Sequence, residues 1–277
     1  MGAPIADWRA GFEAMAAQFP LAADAIVKDV ETNGVPGKIV SAPGVADDRI
    51  VIHFHSGGYV QGSSQAYRDF AYRVSAASDA PVLVPDYRLA PEFLYPAPVE
   101  DARAVYDWAL AAYGADKIVI SGDSAGGGLA MALLLAIRDH GLPTPAGGIG
   151  ISPLLDLAGE SRSMETNAPS DPLIDRNMVV EMGKVYIGDI DPHEHPYCSP
   201  VYGDKADLPP LLLMASNSEV LRDDVTRFAE GVRQRGGQVE THFPDNMTHI
   251  WTFFPFLEQS AASVAEIGGF VRASFAR

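Results

Sequence analysis

A chain of 277 residues, 47% hydrophobic and 20% charged, is long enough to bury a full core in one α/β domain without staples. Its 36 acidic against 20 basic side chains leave a net charge of −16, which argues against nucleic acid and anionic membrane surfaces as partners. The single cysteine, Cys198, excludes an intrachain disulfide and suits a reducing cytoplasm, the location expected for this chain.

The first residues, Met1 to Arg9, lack a basic stretch followed by an apolar one, so no signal peptide is expected. Ala6 stands where a myristoylation signal needs Ser or Thr. No apolar run reaches the roughly 20 residues of a membrane span. Residues 1–25 carry Phe12, Met15 and Phe19 at helical spacing and read as an amphipathic helix.

From about residue 48 onward, short apolar runs alternate with helical patterns. Ile50–Ile52, Val82–Val84, Lys117–Ile120, Gly148–Ile151 and Leu211–Met214 read as buried parallel strands. The more polar, alternating run Gln238–Phe243 reads as a strand nearer a sheet edge. Helical patterns lie at about Tyr67–Ala77, Val99–Tyr113, Gly127–His140, Asp223–Arg235 and Phe256–Ala276. Such repetition predicts an α/β fold with a mainly parallel, doubly wound sheet and helices on both faces. Residues of about 156–208 break the rhythm; they are polar, rich in proline and acidic residues, and hold one expected helix, Asn177–Tyr186. With residues 1–25 they are expected to form a small helical cap over the carboxyl ends of the strands, within a single domain spanning 1–277.

The strand Ile118–Ile120 breaks into Gly122-Asp123-Ser124-Ala125-Gly126, and a helix pattern follows at once. Gly-x-Ser-x-Gly at a strand-to-helix turn predicts a strained elbow with the Ser124 hydroxyl exposed above the sheet. The helix N-terminus would favour an anion formed beside it. Two phosphate-binding readings of the glycines fail. A dinucleotide fingerprint needs glycine where Ser124 stands, and a P-loop needs lysine after Gly127, where Gly128 is found.

A serine hydroxyl needs a base to become a nucleophile near neutral pH. Of seven histidines, His53 and His55 precede the elbow and His140 ends its helix. His193 and His195 fall in the expected cap, and His242 lies inside a strand. His249, in the loop after the last strand, is left as general base and acid, at the carboxyl edge where such sheets build their sites. The acid is expected after Leu211–Met214. Glu219 is the first candidate; Asp223 is the rival, although a helix start gives it a capping role instead. Backbone amides of Gly57 and Gly58, in His55-Ser56-Gly57-Gly58-Tyr59, and of Ala125 would form an oxyanion hole.

These residues resemble the bacterial hormone-sensitive-lipase-like esterases of the α/β-hydrolase fold. The family's HGGG-type motif stands as His55-Ser56-Gly57-Gly58, its Tyr-Arg-Leu-Ala-Pro-Glu motif as Tyr87–Glu92, and its elbow as Gly122–Gly126. Ile151-Ser-Pro-Leu-Leu-Asp156 also matches, and the resemblance covers about residues 30–275. It implies a carboxylesterase that uses no metal or cofactor and acts on short acyl esters, with a cap; it also implies that sheet edges can pair into a homodimer. Two departures stand out. Ser56 replaces the first glycine of the triple, and Glu219 stands where the family commonly has Asp.

The expected reaction is therefore hydrolysis of short-to-medium acyl esters through Ser124, His249 and Glu219 with an acyl-enzyme. A lactone could open on the same groups, and the fold also hosts non-catalytic small-molecule receptors. Arg88 and Glu92 are expected to brace the oxyanion loop as a buried network, and Asp123 to support the elbow. His193-Glu194-His195 offers too few local ligands for a metal. Tyr59, Tyr186, Trp251, Phe253 and Phe254 are candidates for pocket lining, although core packing suits the three that follow His249 better. Cys198 reads as an inert small apolar residue.

Overall fold

A computed structural model describes residues 4–277. Its centre is an eight-stranded sheet, ordered β1-β2-β4-β3-β5-β6-β7-β8. The strands are β1 (Ile26–Thr32), β2 (Val35–Ser41), β3 (Ile50–Phe54), β4 (Val82–Pro85), β5 (Ile118–Asp123), β6 (Gly147–Ile151), β7 (Leu211–Met214) and β8 (Val239–His242). The helices are α1 (Ile5–Ala16), α2 (Arg68–Ser78), α3 (Ala97–Tyr113), α4 (Ala125–Asp139), α5 (Ser163–Thr166), α6 (Arg176–Ile187), α7 (Arg222–Gln234) and α8 (Glu258–Phe275). From β4 to β8 every pairing is parallel; β1 and β2 join antiparallel at one edge.

The alternation of strand side chains explains the two apolar layers. Ile50, Ile52 and Phe54 of β3 and Ile118 and Ile120 of β5 face one core, shared with α3, α4 and α7. Val51 and Val119 face the other, shared with α2 and α8. On the α4 side β6 offers only hydrogen atoms: a Cβ on Gly148 would stand 2.6 Å from the Leu134 side chain. The bare strand lets α4, whose first turn carries the elbow, lie close against the sheet centre.

Two elements escaped the sequence reading. The hairpin β1–β2 precedes the region where strands were expected. Its signal was present, since Asn33-Gly34 forms a two-residue loop with φ of 51° and 90°. Its first strand is an edge strand, largely exposed and charged, so it lacks the apolar run that marked the others. The N-terminal helix is also shorter than residues 1–25, ending at Ala16. No helix among the described residues is long and apolar enough to cross a membrane.

Behind the sheet's carboxyl edge lies a buried carboxylate pair. Asp224 Oδ2 accepts from the amides of Leu155 (3.1 Å) and Asp156 (3.0 Å), while Asp156 Oδ2 accepts from Arg227 at 2.6 Å. Burial, reinforced by the Asp156 charge, pushes the Asp224 carboxyl up to about 8 from an ordinary value of 3.8. Between about pH 4 and 8 the folded protein therefore holds a proton that the unfolded chain has lost, so this group lowers stability as pH rises through that window. Asp224→Asn is expected to flatten the fall of the unfolding free energy, taken from urea titrations, between pH 5 and 8, by up to about 1.4 kcal/mol per pH unit. Parallel curves for variant and wild type would rule this out.

Candidate active site

Ser124 sits between β5 and α4 with φ 51° and ψ −122°, a conformation that non-glycine residues rarely hold. The turn is possible because its flanks are glycines. A Cβ on Gly122 would stand 2.1 Å from the Gly126 carbonyl oxygen, and one on Gly126 would stand 2.0 Å from that of Phe54. Although Ser124 occupies the cap position of α4, its hydroxyl makes no capping bond. It lies instead 2.9 Å from His249 Nε2.

His249 is carried by the loop that follows β8. That loop is laced to the loop after β7: Asn217 Nδ2 donates to Phe243 O (3.0 Å) and Asp245 Oδ1 (2.8 Å), and the Met247 amide donates to Ser216 Oγ (3.2 Å). Glu219, on the second loop, places Oε2 3.2 Å from His249 Nδ1. The two loops thus hold imidazole and carboxylate together across 30 residues of sequence. Asn167 Nδ2 ties the acid loop down by donating to the carbonyls of Asn217 and Glu219, both at 2.9 Å.

Asp223, the rival acid, is engaged elsewhere. It accepts from the Ser163 amide at 3.1 Å and from Arg222 at 2.7 Å, in the first turn of α7. Glu219 is fully buried, and burial raises its carboxyl above the ordinary range against the opposing bonds from His249 and Ser152. Ser152 is a residue that sequence reasoning missed. Held at φ 44°, it donates its hydroxyl to Glu219 Oε2 at 2.8 Å and accepts from the Ile250 amide at 3.2 Å. It joins the acid to the histidine loop, and its signal was its place in the matched segment Ile151–Asp156.

Across from His249 the chain turns through three successive left-handed residues, Gly57 (φ 122°), Gly58 (62°) and Tyr59 (64°). His55 anchors the turn's start: its Nδ1 lies 2.8 Å from Ser56 O, and its ring stacks on Tyr87 at 4.3 Å. Burial lowers the His55 pKa, so the ring is neutral and its Nδ1–H donates to that carbonyl. Among the described residues, the amides of Gly57, Gly58 and Ala125 donate to no other group of the chain. A Cβ on Gly57 would stand 2.1 Å from the Gln61 backbone oxygen, whereas one on Gly58 would meet only the flexible end of Met182, at 2.3 Å from Sδ. Gly57→Ala is therefore expected to lower kcat/KM for an ester about 10²-fold or more, and Gly58→Ala clearly less. Equal losses in steady-state assays of the two variants would contradict this.

These groups open into one cavity of about 240 Å³. Ser124, His249, Gly57 and Gly58 form its floor, with Phe12 and Met15 of α1, Met178, Val179 and Met182 of α6, and Leu154, Leu173, Ile174, Leu221, Ile250 and Phe254 as apolar wall. Among the described residues that line this cavity, His249 is the one ionisable side chain.

Of the five aromatic candidates, Tyr59, Tyr186, Trp251 and Phe253 stand outside the wall. Tyr59 and Tyr186 are buried and stack on each other at 3.9 Å. Trp251 is buried in the α8 core and donates Nε1–H to Ser263 at 3.0 Å. Phe254, which follows them, does reach the cavity. Arg88 and Glu92 do not form the expected buried network. Arg88 pairs with Asp101 at 2.7 Å, and the exposed Glu92 pairs with Arg9 of α1 at 2.7 Å. Arg9 also donates to the carbonyl of Val60 at 2.8 Å, so α1 holds the far end of this loop. His193 bonds Asp191 (2.7 Å) and Glu160 (3.2 Å) on the surface. Cys198 is buried, and burial pushes its thiol up to about 11.

A family model described as the alpha/beta hydrolase fold matches residues 51–253. An acetyl-hydrolase of Streptomyces hygroscopicus is 37% identical over 232 residues, which are 83% of this chain and 77% of that protein. An esterase of Acinetobacter venetianus is 32% identical over 257 residues, covering 90% and 83%. Among solved structures, an esterase from the bacterial hormone-sensitive lipase family superposes with a TM-score of 0.96 at 38% identity, over 99% of this chain and 93% of that one. The esterase EstE5, soaked with p-nitrophenyl butyrate, superposes with a TM-score of 0.96 at 37% identity, over 100% and 93%. On a family match over residues 51–253 and on these likenesses in sequence and structure, the chain belongs to the α/β-hydrolase family, among its bacterial hormone-sensitive-lipase-like esterases.

Proposed function

We propose that this protein hydrolyses uncharged, short-to-medium acyl esters through an acyl-enzyme on Ser124. The observation that carries the reading is the continuous hydrogen-bonded chain from Ser124 Oγ to His249 Nε2 (2.9 Å) and from His249 Nδ1 to Glu219 Oε2 (3.2 Å). Ser124 Oγ attacks the ester carbonyl while His249 Nε2 takes its proton. The amides of Gly57, Gly58 and Ala125 receive the oxyanion, and the start of α4 adds its positive end. The tetrahedral intermediate then collapses; the C–O bond to the alcohol breaks, and His249 returns the proton to that oxygen. Water attacks the acyl-enzyme by the same route, passing its proton to Nε2, and Ser124 is regenerated as the acid leaves. Glu219 accepts Nδ1–H, fixes the tautomer and stabilises the imidazolium.

The mostly apolar cavity supports an uncharged substrate, because among the described residues no Asp, Glu, Lys or Arg lines it to pair with a charged one. Its size, the name of the Streptomyces relative and the butyrate ester soaked into EstE5 support short acyl groups. Residues 4 to about 25 and about 156–208 act as the cap of a single domain, since α1 and α6 supply one side of the cavity.

Purified protein assayed with p-nitrophenyl acetate, butyrate and octanoate tests the proposal. Turnover is expected with acetate and butyrate. A sulfonyl fluoride is expected to abolish it, forming an S–O bond to Ser124 Oγ as fluoride leaves with the hydroxyl proton as HF, so that the peptide containing Ser124 gains the reagent's mass less HF. Absence of turnover would instead indicate a binding protein on this fold, and turnover of lactones alone would replace esters as the substrate class.

A further inference from the structure

One phenol joins the two halves of the catalytic floor. Tyr67, the residue before α2, is fully buried. Its oxygen lies 2.5 Å from Asp123 Oδ2, 2.6 Å from Ser56 Oγ and 3.0 Å from the Ser56 amide. Asp123 immediately precedes the nucleophile, and Ser56 immediately precedes the first oxyanion glycine. We infer that Tyr67 is a positioning residue, whose hydroxyl sets the oxyanion loop in register with the nucleophile elbow by bonding Asp123 on one side and Ser56 on the other.

The hydrogens and lone pairs close without remainder. Tyr67 donates its one proton to Asp123 Oδ2, and its two lone pairs accept from the Ser56 amide and the Ser56 hydroxyl. Burial, and then the Asp123 charge, holds the phenol far above its ordinary range, so it remains a donor at any working pH. Asp123 is fixed from its other oxygen by His53 Nε2 at 3.2 Å, and His53 Nδ1 lies 3.0 Å from Ser121 Oγ. Both His53 and Ser121 are on neighbouring central strands, so the anchor is the sheet itself. The Tyr67 ring is clamped by Phe253 at 4.8 Å and Phe70 at 6.0 Å between centroids.

The oxyanion loop needs such an anchor. Three consecutive positive φ values take it out of any regular ladder, and its internal bonds run from the Val60 and Gln61 amides to the Gly57 carbonyl, both at 3.1 Å. Those bonds hold the loop's shape without fixing its distance from Ser124. Ser56, where the resembled family has glycine, supplies a second bond to the Tyr67 oxygen. An oxyanion donor displaced by about 1 Å loses on the order of 10²-fold in rate, so the register carries catalytic weight.

The inference rests on the ester-hydrolase reading, and the test separates the two. Tyr67→Phe removes one oxygen and keeps the ring packing. It is expected to lower kcat for p-nitrophenyl butyrate about 10- to 100-fold with KM within about twofold. Affinity for a trifluoromethyl ketone, which forms an oxyanion on Ser124, should weaken in proportion to kcat/KM. Ser56→Ala, which keeps the amide bond and leaves the phenol in place, should show the same signature at about 2- to 5-fold. Adding Ser56→Ala to Tyr67→Phe should cost less than it costs alone. Turnover by wild type with kcat of Tyr67→Phe within twofold would overturn this inference alone. So would a fall in kcat with unchanged ketone affinity, or strictly additive losses, because a purely structural role predicts those outcomes. No turnover by wild type would overturn both readings. Should Tyr67→Phe fail to fold, the Ser56→Ala kinetics and ketone affinity decide by the same criteria.

Discussion

Ser124→Ala is expected to lower kcat/KM toward p-nitrophenyl butyrate by about 10⁴-fold or more, leaving only what the oxyanion donors and the cavity supply. The reason lies in the local fold. The hydroxyl makes no capping bond to α4 and lies 2.9 Å from His249 Nε2, so its removal takes away the nucleophile and little packing. Melting temperature should therefore hold steady or rise, because Ala relieves nothing at φ 51° but leaves no buried hydroxyl to satisfy. His249→Gln should lose about as much, and the double variant little more, since the two act as a unit. A rate within tenfold of wild type for either single variant, measured with fresh protein and burst-phase controls, would remove that residue from the reaction.

Glu219→Gln is expected to lower kcat by about 10³- to 10⁴-fold, whereas Asp223→Asn should stay within about threefold. Gln keeps the shape of the buried side chain but can turn an N–H toward His249 Nδ1. That would favour the tautomer whose Nε2 carries a proton and cannot accept one from Ser124. Asp223 faces Ser163 and Arg222 and does not bond the histidine. Ser152→Ala should fall between them, because it removes one bond to Glu219 Oε2 and one from the Ile250 amide while leaving the carboxylate in place. The reverse ranking of Glu219→Gln and Asp223→Asn would exchange their roles.

The turns of the candidate site were legible in the sequence where they are local. Gly122-Asp-Ser-Ala-Gly126 between an apolar run and a helix pattern states its own turn, since glycines are required where backbones approach within van der Waals contact. The two glycines at 57 and 58 were legible for the same reason. The central strands were legible because burial on both faces demands continuous apolar residues. The edge hairpin β1–β2 was not, because one exposed face dilutes that signal, and Asn33-Gly34 was its one strong mark.

What depended on long-range packing could not be read from the chain. The aromatic candidates illustrate this. Tyr59 adjoins the oxyanion glycines in sequence, yet its ring stacks on Tyr186 away from the cavity wall. Arg88 and Glu92 share one motif but take partners on different helices, Asp101 and Arg9. Ser152, Asn167 and Tyr67 gained their places because strands adjacent in the sheet bring distant loops together. By itself, then, the sequence determined the fold class, the nucleophile's elbow and the candidates for base and acid, because strand burial and tight turns leave marks within a few residues. The tertiary structure alone decided that Glu219 rather than Asp223 meets His249, and that Tyr67 joins the elbow to the oxyanion loop. Those contacts span 30, 56 and 11 residues and are set by how loops meet at the carboxyl edge of the sheet.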